Sequence, residues 1–94
     1  MPPPNPARGE IVALLAGVPR RLCLTLGALA RIEGALNLAD WRELPARMET
    51  LSARELMAVL AALLDGGGEP AGLTDPVTVP EAVAAVAAAL AASA

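Results

Sequence analysis

The stretch "GEIVALLAGVPRRLCLTL", residues 9–26, contains two short apolar runs separated by Ala16-Gly17. Glycine readily adopts the positive φ that a two-residue hairpin turn requires. A run of apolar residues on each side of such a turn is the usual pattern of a β-hairpin. The stretch therefore predicts two antiparallel strands, at about residues 10–15 and 18–24.

The register of this hairpin follows from the position of its loop. With Ala16-Gly17 as the loop, Leu15 faces Val18, Ala13 faces Arg20, and Ile11 faces Leu22. Because side chains alternate along a strand, one face of the hairpin is apolar. This face is predicted to be the core side, and it consists of Ile11, Leu15, Val18, Leu22 and Leu24.

The opposite face of the hairpin is only partly polar. It carries the apolar residues Val12, Leu14 and Cys23 beside the charged residues Glu10 and Arg21. Two interpretations stay open. Either a helix or a chain end of the same domain covers this face, or Val12 and Leu14 are left for another chain. That chain would bind on the face or by strand addition at an open edge.

The segment after the hairpin has the period of a helix over about residues 26–36. Thr25 is a good N-cap, and Asn37 can end the helix. Gly27 and Gly34 each cost about 1 kcal/mol relative to alanine inside a helix, so they predict the close approach of another backbone. Apolar residues recur at steps of three or four, at Leu26, Leu29, Ile32 or Glu33, and Leu36.

A short or kinked helix is predicted from about residue 40 to 49. Asp40 and Glu43 have the spacing of a capping box, but Pro45 would remove an amide and clash with the preceding turn of a continuous helix. Trp41 is the lone aromatic residue of the chain. Anchoring of this turn on the core is the favoured interpretation of Trp41, and a partner-binding position is the other.

The clearest helix is predicted over residues 52–65. Ser52 and Glu55 form a capping box at its start. The glycines at 66–68 end it, and they indicate a linker, since a phosphate loop would need a following Lys-Ser/Thr and a preceding strand. The helix should be the central core element because it has a wide apolar stripe, made of Leu56, Leu60, Leu63 and Leu64 with Met57 and Val59 at its sides.

A last helix is predicted over residues 79–92, after a loop at 70–76. Thr78 and Glu81 form a second capping box. Apart from Val83, Val86 and Leu90, every residue from 82 to 92 is alanine, so this smooth helix can pack on its own domain or on another chain. Its larger apolar side chains form one stripe at steps of four, three and four, at Val79, Val83, Val86 and Leu90.

Length and composition limit the fold. The chain has 94 residues, which is enough for one domain, and its core must be aliphatic because it has one Trp and no Phe or Tyr. The Pro-rich residues 1–8 are expected to be a disordered arm, and residues 9–94 a single domain. The predicted fold class is α+β, with an N-terminal hairpin followed by three to four helices.

The composition also excludes several functions. A net charge of −3 without a basic stripe opposes nucleic-acid binding. The chain has no His to act as a base and no clustered acids, so neither catalysis, nor a metal site, nor a cofactor is expected. Cys23, the single cysteine, is predicted to be a packing residue. No apolar run reaches the ~20 residues that cross a bilayer, so a cytoplasmic protein is expected.

Three features occur together in this sequence: the hairpin that ends in "LTLGALA" at residues 24–30, the acid Glu33, and the helix entry "LSAREL" at residues 51–56. This combination resembles the gene transfer agent group of phage tail assembly chaperones, over about residues 8–92. The resemblance implies a non-catalytic helper that binds the tape measure protein and recruits tail tube subunits to it.

The resemblance also implies a binding mode. Tape measure proteins present amphipathic helices, so docking of a helix in a groove is the expected mechanism, with strand addition at the hairpin as the second. Several copies side by side, as a homo-oligomer, would suit a long partner. The expected contact residues are Val12, Leu14, Trp41, Val83 and Val86.

Two alternatives belong to other functional classes. The first is a small structural tail or connector subunit of a phage-like particle, although a tube subunit should contain more strand than two short runs. The second is a regulator of transcription. It is disfavoured because recognition helices carry basic and amide side chains, which neither main helix has.

Overall fold

A β-hairpin is followed by four helices in the computed structural model, which describes residues 3–70 and 74–93. Short 3-10 turns lie at Pro6–Arg8, Trp41–Glu43 and Met48–Thr50. The α+β class predicted from the sequence is therefore confirmed. The strands and α-helices are β1 (Ile11–Leu15), β2 (Val18–Leu22), α1 (Leu26–Leu36), α2 (Leu44–Arg47), α3 (Ala53–Gly66) and α4 (Val79–Ala92).

The predicted register of the hairpin is confirmed, with Leu15 paired to Val18. Ala16 and Gly17 have φ angles of 52° and 80°, as a tight hairpin turn requires. Leu15 and Leu22 are buried on the predicted core face. Val18 is a correction: it is 41% exposed, although its partner Leu15 is buried, because a depression of about 320 Å³ between the hairpin, Leu64 and Pro76 lies beside it.

Helix α1 has the predicted ends, with the Thr25 side chain accepting a hydrogen bond from the Ala28 amide and Asn37 in the left-handed conformation. Its buried stripe differs from the prediction. Ala28, Ile32 and Leu36 are buried against the core, whereas Leu26 is 84% exposed. Leu26 lies in the first turn, away from the line that runs from Ala28 at steps of four.

The glycines of α1 do not lie against another backbone, which corrects the prediction. A Cβ at Gly34 would meet nothing within 4 Å, and one at Gly27 would make an ordinary contact. The close approach occurs instead at the end of α3. A Cβ on Gly66 or on Gly67 would collide with a carbonyl oxygen of the segment from β2 to Cys23. These glycines are therefore a packing contact, where the sequence indicated a linker.

The segment from 40 to 50 is short and broken, as predicted. Asp40 and Glu43 form the expected capping box, and α2 begins with Pro45 in its first turn. The favoured interpretation of Trp41 is wrong, because this side chain is 55% exposed. Leu44, which is almost fully buried, anchors the turn on the core instead.

Helix α3 is the central core element. The predicted capping box of Ser52 and Glu55 is present, with the Glu55 amide donating to the Ser52 hydroxyl at 3.1 Å. The helix packs against α1, α4 and β2, and its buried residues are Val59, Leu60, Ala62, Leu63 and Leu64.

Helix α4 packs against α3 and β1. Its predicted capping box of Thr78 and Glu81 is present. The loop predicted at 70–76 precedes it, and residues 71–73 of that loop lie outside the described residues. The buried face of the helix is mostly alanine, and it consists of Ala82, Ala85, Val86 and Ala89.

Candidate interaction surface

Among the described residues, large apolar side chains remain exposed on four parts of the fold: the hairpin, Leu26 at the start of α1, the turn before α2, and helix α4 with the adjoining face of α3. Four of the five predicted contact residues are among them, namely Val12, Leu14, Trp41 and Val83. Val86 is a correction, because this side chain is fully buried in the core and offers nothing to a partner. The prediction placed it with Val83 because both share the stripe along α4.

The first apolar depression, the α3–α4 groove, lies between the starts of these two helices and has a volume of about 130 Å³. Met57 of α3 and Val79 of α4 are its exposed apolar members. Asp75 is the one titratable residue among the described residues that line it. The other lining residues include Ala53, Leu56, Leu60, Val77 and Ala82.

The second depression, the Trp41 groove, has a volume of about 260 Å³. Trp41 and Pro45 line it from the turn and α2, and Leu90 lines it from α4. The remaining described residues of its wall are Leu24, Leu29, Leu44 and Ser93. None of these described residues is titratable, so the groove can bind apolar groups but has nothing to move a proton.

One side of α4 connects the two grooves. Val79 lines the α3–α4 groove and Leu90 lines the Trp41 groove, while the exposed Val83 lies between them. Steps of four and seven residues return to the same side of a helix. At 1.5 Å per residue the three side chains extend over about 16 Å. We call this line of three residues, with the grooves at its ends, the α4 strip.

The hairpin carries a separate apolar patch on its outer face, made of Val12 and Leu14. Leu14 is 64% exposed. The neighbouring Cys23 on this face is buried, as predicted for a packing residue, and its Sγ lies 3.2 Å from the Arg8 carbonyl oxygen. A chain end therefore covers Cys23, as the first interpretation expected, and leaves Val12 and Leu14 exposed. Binding of another chain to these two residues stays a prediction.

The N-terminal arm is held to the hairpin by Glu10. Its carboxylate accepts a hydrogen bond from the Asn5 amide at 2.8 Å and pairs with Arg8 at 3.1 Å. Of the residues for which the sequence predicts disorder, 1 and 2 lie outside the described residues. Residues 6–8 form a 3-10 turn in which every side chain is exposed, so polar contacts hold this segment in place.

The outer edge of β2 is closed to further strands. The Arg21 amide donates to the Glu69 carboxylate at 2.9 Å, and the Cys23 amide donates to the Leu63 carbonyl at 3.0 Å. Pro19, the preceding outward-facing residue, has no amide hydrogen. The end of α3 also lies against this edge through Gly66 and Gly67. A new strand would find neither donors nor space here.

Most charged side chains are engaged in pairs away from the apolar strip. Arg31 pairs with Asp65 at 2.9 Å, and Arg47 pairs with Glu55 at 2.7 Å. Beside Trp41, hydrogen bonds from the side chain and then the amide of Arg42 lower the pKa of the Asp40 carboxyl. These contacts fix loops and helix ends, and Asp75 in the α3–α4 groove is the one charged side chain among the described residues that line the strip.

The described residues contain no group of three or more His, Cys, Asp or Glu side chains that could hold a metal ion. Within the same residues, every helix is too short or too polar to cross a membrane.

Two large exposed side chains of the strip, those of Met57 and Val79, were not among the predicted contact residues, and neither was the half-buried Leu90. A signal for Val79 was present, because it is the first residue of α4 and precedes Pro80, so only part of its surface can face the core. For Met57 the signal was its place at the side of the stripe of α3. The exposure of both depends on how α3 and α4 are rotated against each other.

Comparison with known families gives one finding that covers nearly the whole chain. The family model described as phage tail tube protein, GTA-gp10, matches residues 8–94. Comparison with curated proteins and with solved structures gives no match. The gene transfer agent and phage tail parts of the resemblance are therefore confirmed. The chain belongs to the family described as phage tail tube protein, GTA-gp10.

Proposed function

We propose that this chain is a non-catalytic tail assembly chaperone, which binds the tape measure protein in the cytoplasm and helps tail tube subunits to assemble around it. The α4 strip is the observation that carries this proposal. It is a line of aliphatic side chains with a groove at each end, and Asp75 is the one charged residue among the described residues that line it. Its length of about 16 Å matches three turns of a helix.

An amphipathic helix of the tape measure protein would lie along this strip. Such helices place apolar side chains at steps of three and four, which is the spacing that successive contacts on the strip require. Trp41 is suited to anchor one end, because a large aromatic side chain buries much area at a low entropy cost. Met57 is suited to the other end, because its flexible thioether adapts to irregular partners.

The hairpin argues against a subunit that builds a tube by joining sheets. Such a tube needs two free edges on every subunit, so that each sheet can continue on both sides. Here the edge of β2 is closed by Glu69, Leu63 and the end of α3. This supports a protein that assists assembly, with several copies side by side along a long partner.

A small structural tail or connector subunit is the second candidate. The family description, which names a tail tube protein, favours it. A structural subunit would remain in the finished particle in a fixed ratio to the other tail proteins, whereas a chaperone would be absent from it.

The test of the proposal is co-expression of this chain with its cognate tape measure protein. Val83→Asp places a charge in the middle of the strip, and we expect it to abolish co-purification and to leave the tape measure protein insoluble. Trp41→Ala should weaken binding ~10-fold or more, as the loss of an aromatic anchor does.

Ala88→Asp is the matched control, since Ala88 is exposed on the opposite side of the same helix. It should bind like the wild type. Equal loss of binding in both Asp variants would contradict the role of the strip. Wild-type chain found in purified particles, together with no effect on tape measure solubility, would favour the structural subunit.

A further inference from the structure

We propose that the edge of β1 is a second binding surface, which accepts one extended, uncharged segment of a tail protein by strand addition. This inference rests on the proposed function for the class of partner. The two partners would bind at different surfaces: a helix of the tape measure protein at the α4 strip, and a strand of a second tail protein at β1. The tail tube subunit is the strand donor to be tested.

The register identifies the backbone groups that face outward from β1. Leu15 pairs with Val18 across the tight turn, so this pair exchanges hydrogen bonds, and in an antiparallel ladder every second pair does so. Val12 and Leu14 belong to the other pairs, and their amides and carbonyls point away from β2. In the part of the chain that the structure describes, no hydrogen bond reaches these four groups.

Backbone groups without a partner are rarely buried, because an unpaired buried amide or carbonyl costs about as much as a lost hydrogen bond. The outward groups of Val12 and Leu14 therefore face water in the isolated chain. They present the alternating donors and acceptors that an added strand pairs with. The β1 segment "IVALL" has no charge and no proline, the usual devices that protect an edge strand.

The two edges of the hairpin thus differ in how they are protected. The β2 edge has Pro19 and the Glu69 carboxylate, and the β1 edge has neither. Extension of the sheet is limited to the β1 side, so this chain can accept a strand at one edge and cannot continue a sheet through both. This limit suits a reversible complex, and it prevents open-ended assembly of this chain through its sheet.

Helix α4 indicates why the added strand should come from a partner. The helix packs against β1 and runs along it, from Glu81, whose carboxylate lies near the Ala16 amide, to Ala92, whose carbonyl oxygen lies near Gly9. Paired strands are about 4.8 Å apart, whereas packed helices need 8–10 Å. Two copies joined through β1 would bring their α4 helices into collision, whereas an extended segment has no such helix.

The side chains of β1 set the chemistry of the segment. Val12 and Leu14 lie on the outer face, and both are exposed. A neighbouring strand places its own side chains beside them on every second residue. The segment should therefore carry aliphatic side chains on alternate residues, and a charge at one of these positions should prevent binding.

Leu14→Pro tests the edge without removing a bond of the hairpin. The Leu14 amide points away from β2, and its partner Pro19 occupies the equivalent outward position on β2. A proline at residue 14 therefore removes no hydrogen bond between β1 and β2. Leu14→Thr is the matched control, because it reduces the side chain and keeps the amide. Binding of the purified tail tube subunit is measured by calorimetry, and folding of each variant by amide NMR spectra.

We expect Leu14→Pro to weaken binding of the tail tube subunit at least ~10-fold, and Leu14→Thr to weaken it less. In the wild-type complex, hydrogen exchange at the amides of Val12 and Leu14 should slow by at least ~10-fold. Val83→Asp should leave this binding unchanged, because its charge lies on the α4 strip.

Several outcomes would overturn the inference. One is a wild-type complex in which the Val12 and Leu14 amides exchange as fast as in the free chain. Another is a folded Leu14→Pro variant that binds like the wild type. Absence of any binding by the tail tube subunit, or slowed exchange at these amides on self-association of the chain, would also overturn it. Binding of the tape measure protein would still stand in all of these cases.

Discussion

Helices α3 and α4 each span 14 residues and each begin with a capping box, but they bury different kinds of side chain. The buried face of α3 is made mainly of leucine and valine. The buried face of α4 is made of alanine and Val86, and the large residues Val79 and Val83 are left exposed. The two helices therefore begin with the same capping pattern and have the same length, but they differ in the size of the side chains that they bury.

The difference follows from what surrounds each helix. Helix α3 is packed on several sides, by α1, α4 and β2, so large side chains fill the space around it. Helix α4 packs against α3 and β1, and its alanines let both come close. The valines beside that face then lie outside the core. Helix α4 therefore buries mostly alanine and exposes large apolar side chains, and these exposed side chains form the candidate partner surface.

The largest effect should come from truncating α3. Leu63 is fully buried, so Leu63→Ala should lower the free energy of unfolding by about 3 kcal/mol, through lost burial and the cavity that remains. Val83→Ala on the exposed side of α4 should change it by less than about 0.5 kcal/mol. Urea denaturation followed by circular dichroism measures both. Similar losses in the two variants would mean that the valine side of α4 is part of the core.

A smaller effect should come from enlarging an alanine of α4. Ala89 is fully buried, so Ala89→Leu should cost about 1–3 kcal/mol, because the added atoms force α4 away from its neighbours. The matched variant Ala88→Leu, on the exposed side, should stay within about 0.5 kcal/mol of the wild type. Thermal and urea unfolding of the pair test this. A neutral Ala89→Leu variant would show that α4 does not pack closely.

The smallest effect concerns the capping glutamates. The Ser52 amide and then Arg47 lower the pKa of Glu55, and the Thr78 amide and hydroxyl lower the pKa of Glu81, each from the ordinary value of 4.5. A lowered folded pKa means that the unfolded chain binds more protons in this range. The stabilisation is thus complete above pH 4.5 and is lost as the pH falls through the lowered values.

Urea midpoints measured from pH 7 to about pH 3 give this dependence. Glu55→Gln and Glu81→Gln should each flatten the curve, because glutamine keeps the capping bond without the charge. Salt should reduce the contribution of Glu55 more than that of Glu81, because Glu55 also pairs with Arg47. If the urea midpoints of both variants change with pH as those of the wild type do, the capping carboxylates are not the cause of the pH dependence.

The local features of the fold were predictable because their causes lie within a few residues. The hairpin register was fixed by the two-residue loop, and the starts of α1, α3 and α4 were fixed by side chains that reach amides three residues away. The break near Pro45 was predictable for the same reason. Each of these depends on backbone geometry that the adjoining residues determine by themselves.

The candidate surface was only partly predictable. Val12, Leu14, Trp41 and Val83 are exposed as a partner surface requires, although the sequence favoured a core position for Trp41. Val86 shows the limit of the pattern, since a stripe at helical spacing does not tell which of its members faces inward. Val18 shows the same limit in the opposite direction, because it was placed on the core face and is 41% exposed. Leu26, an apolar position of the predicted helix period, also lies outside the core.

The glycines show the difference between what the sequence determines and what only the tertiary structure decides. Both glycines inside α1 were predicted to meet another backbone, and neither does so, whereas Gly66 and Gly67 at the end of α3 do. The sequence by itself determined the hairpin, its register and the helix ends, because these depend on contacts between near neighbours. Only the tertiary structure decided which glycines are compressed, which side of α4 is buried and which strand edge stays open. Those features depend on the rotation and distance of elements far apart in the chain, and local signals such as Pro19 and Pro80 indicate them only in part.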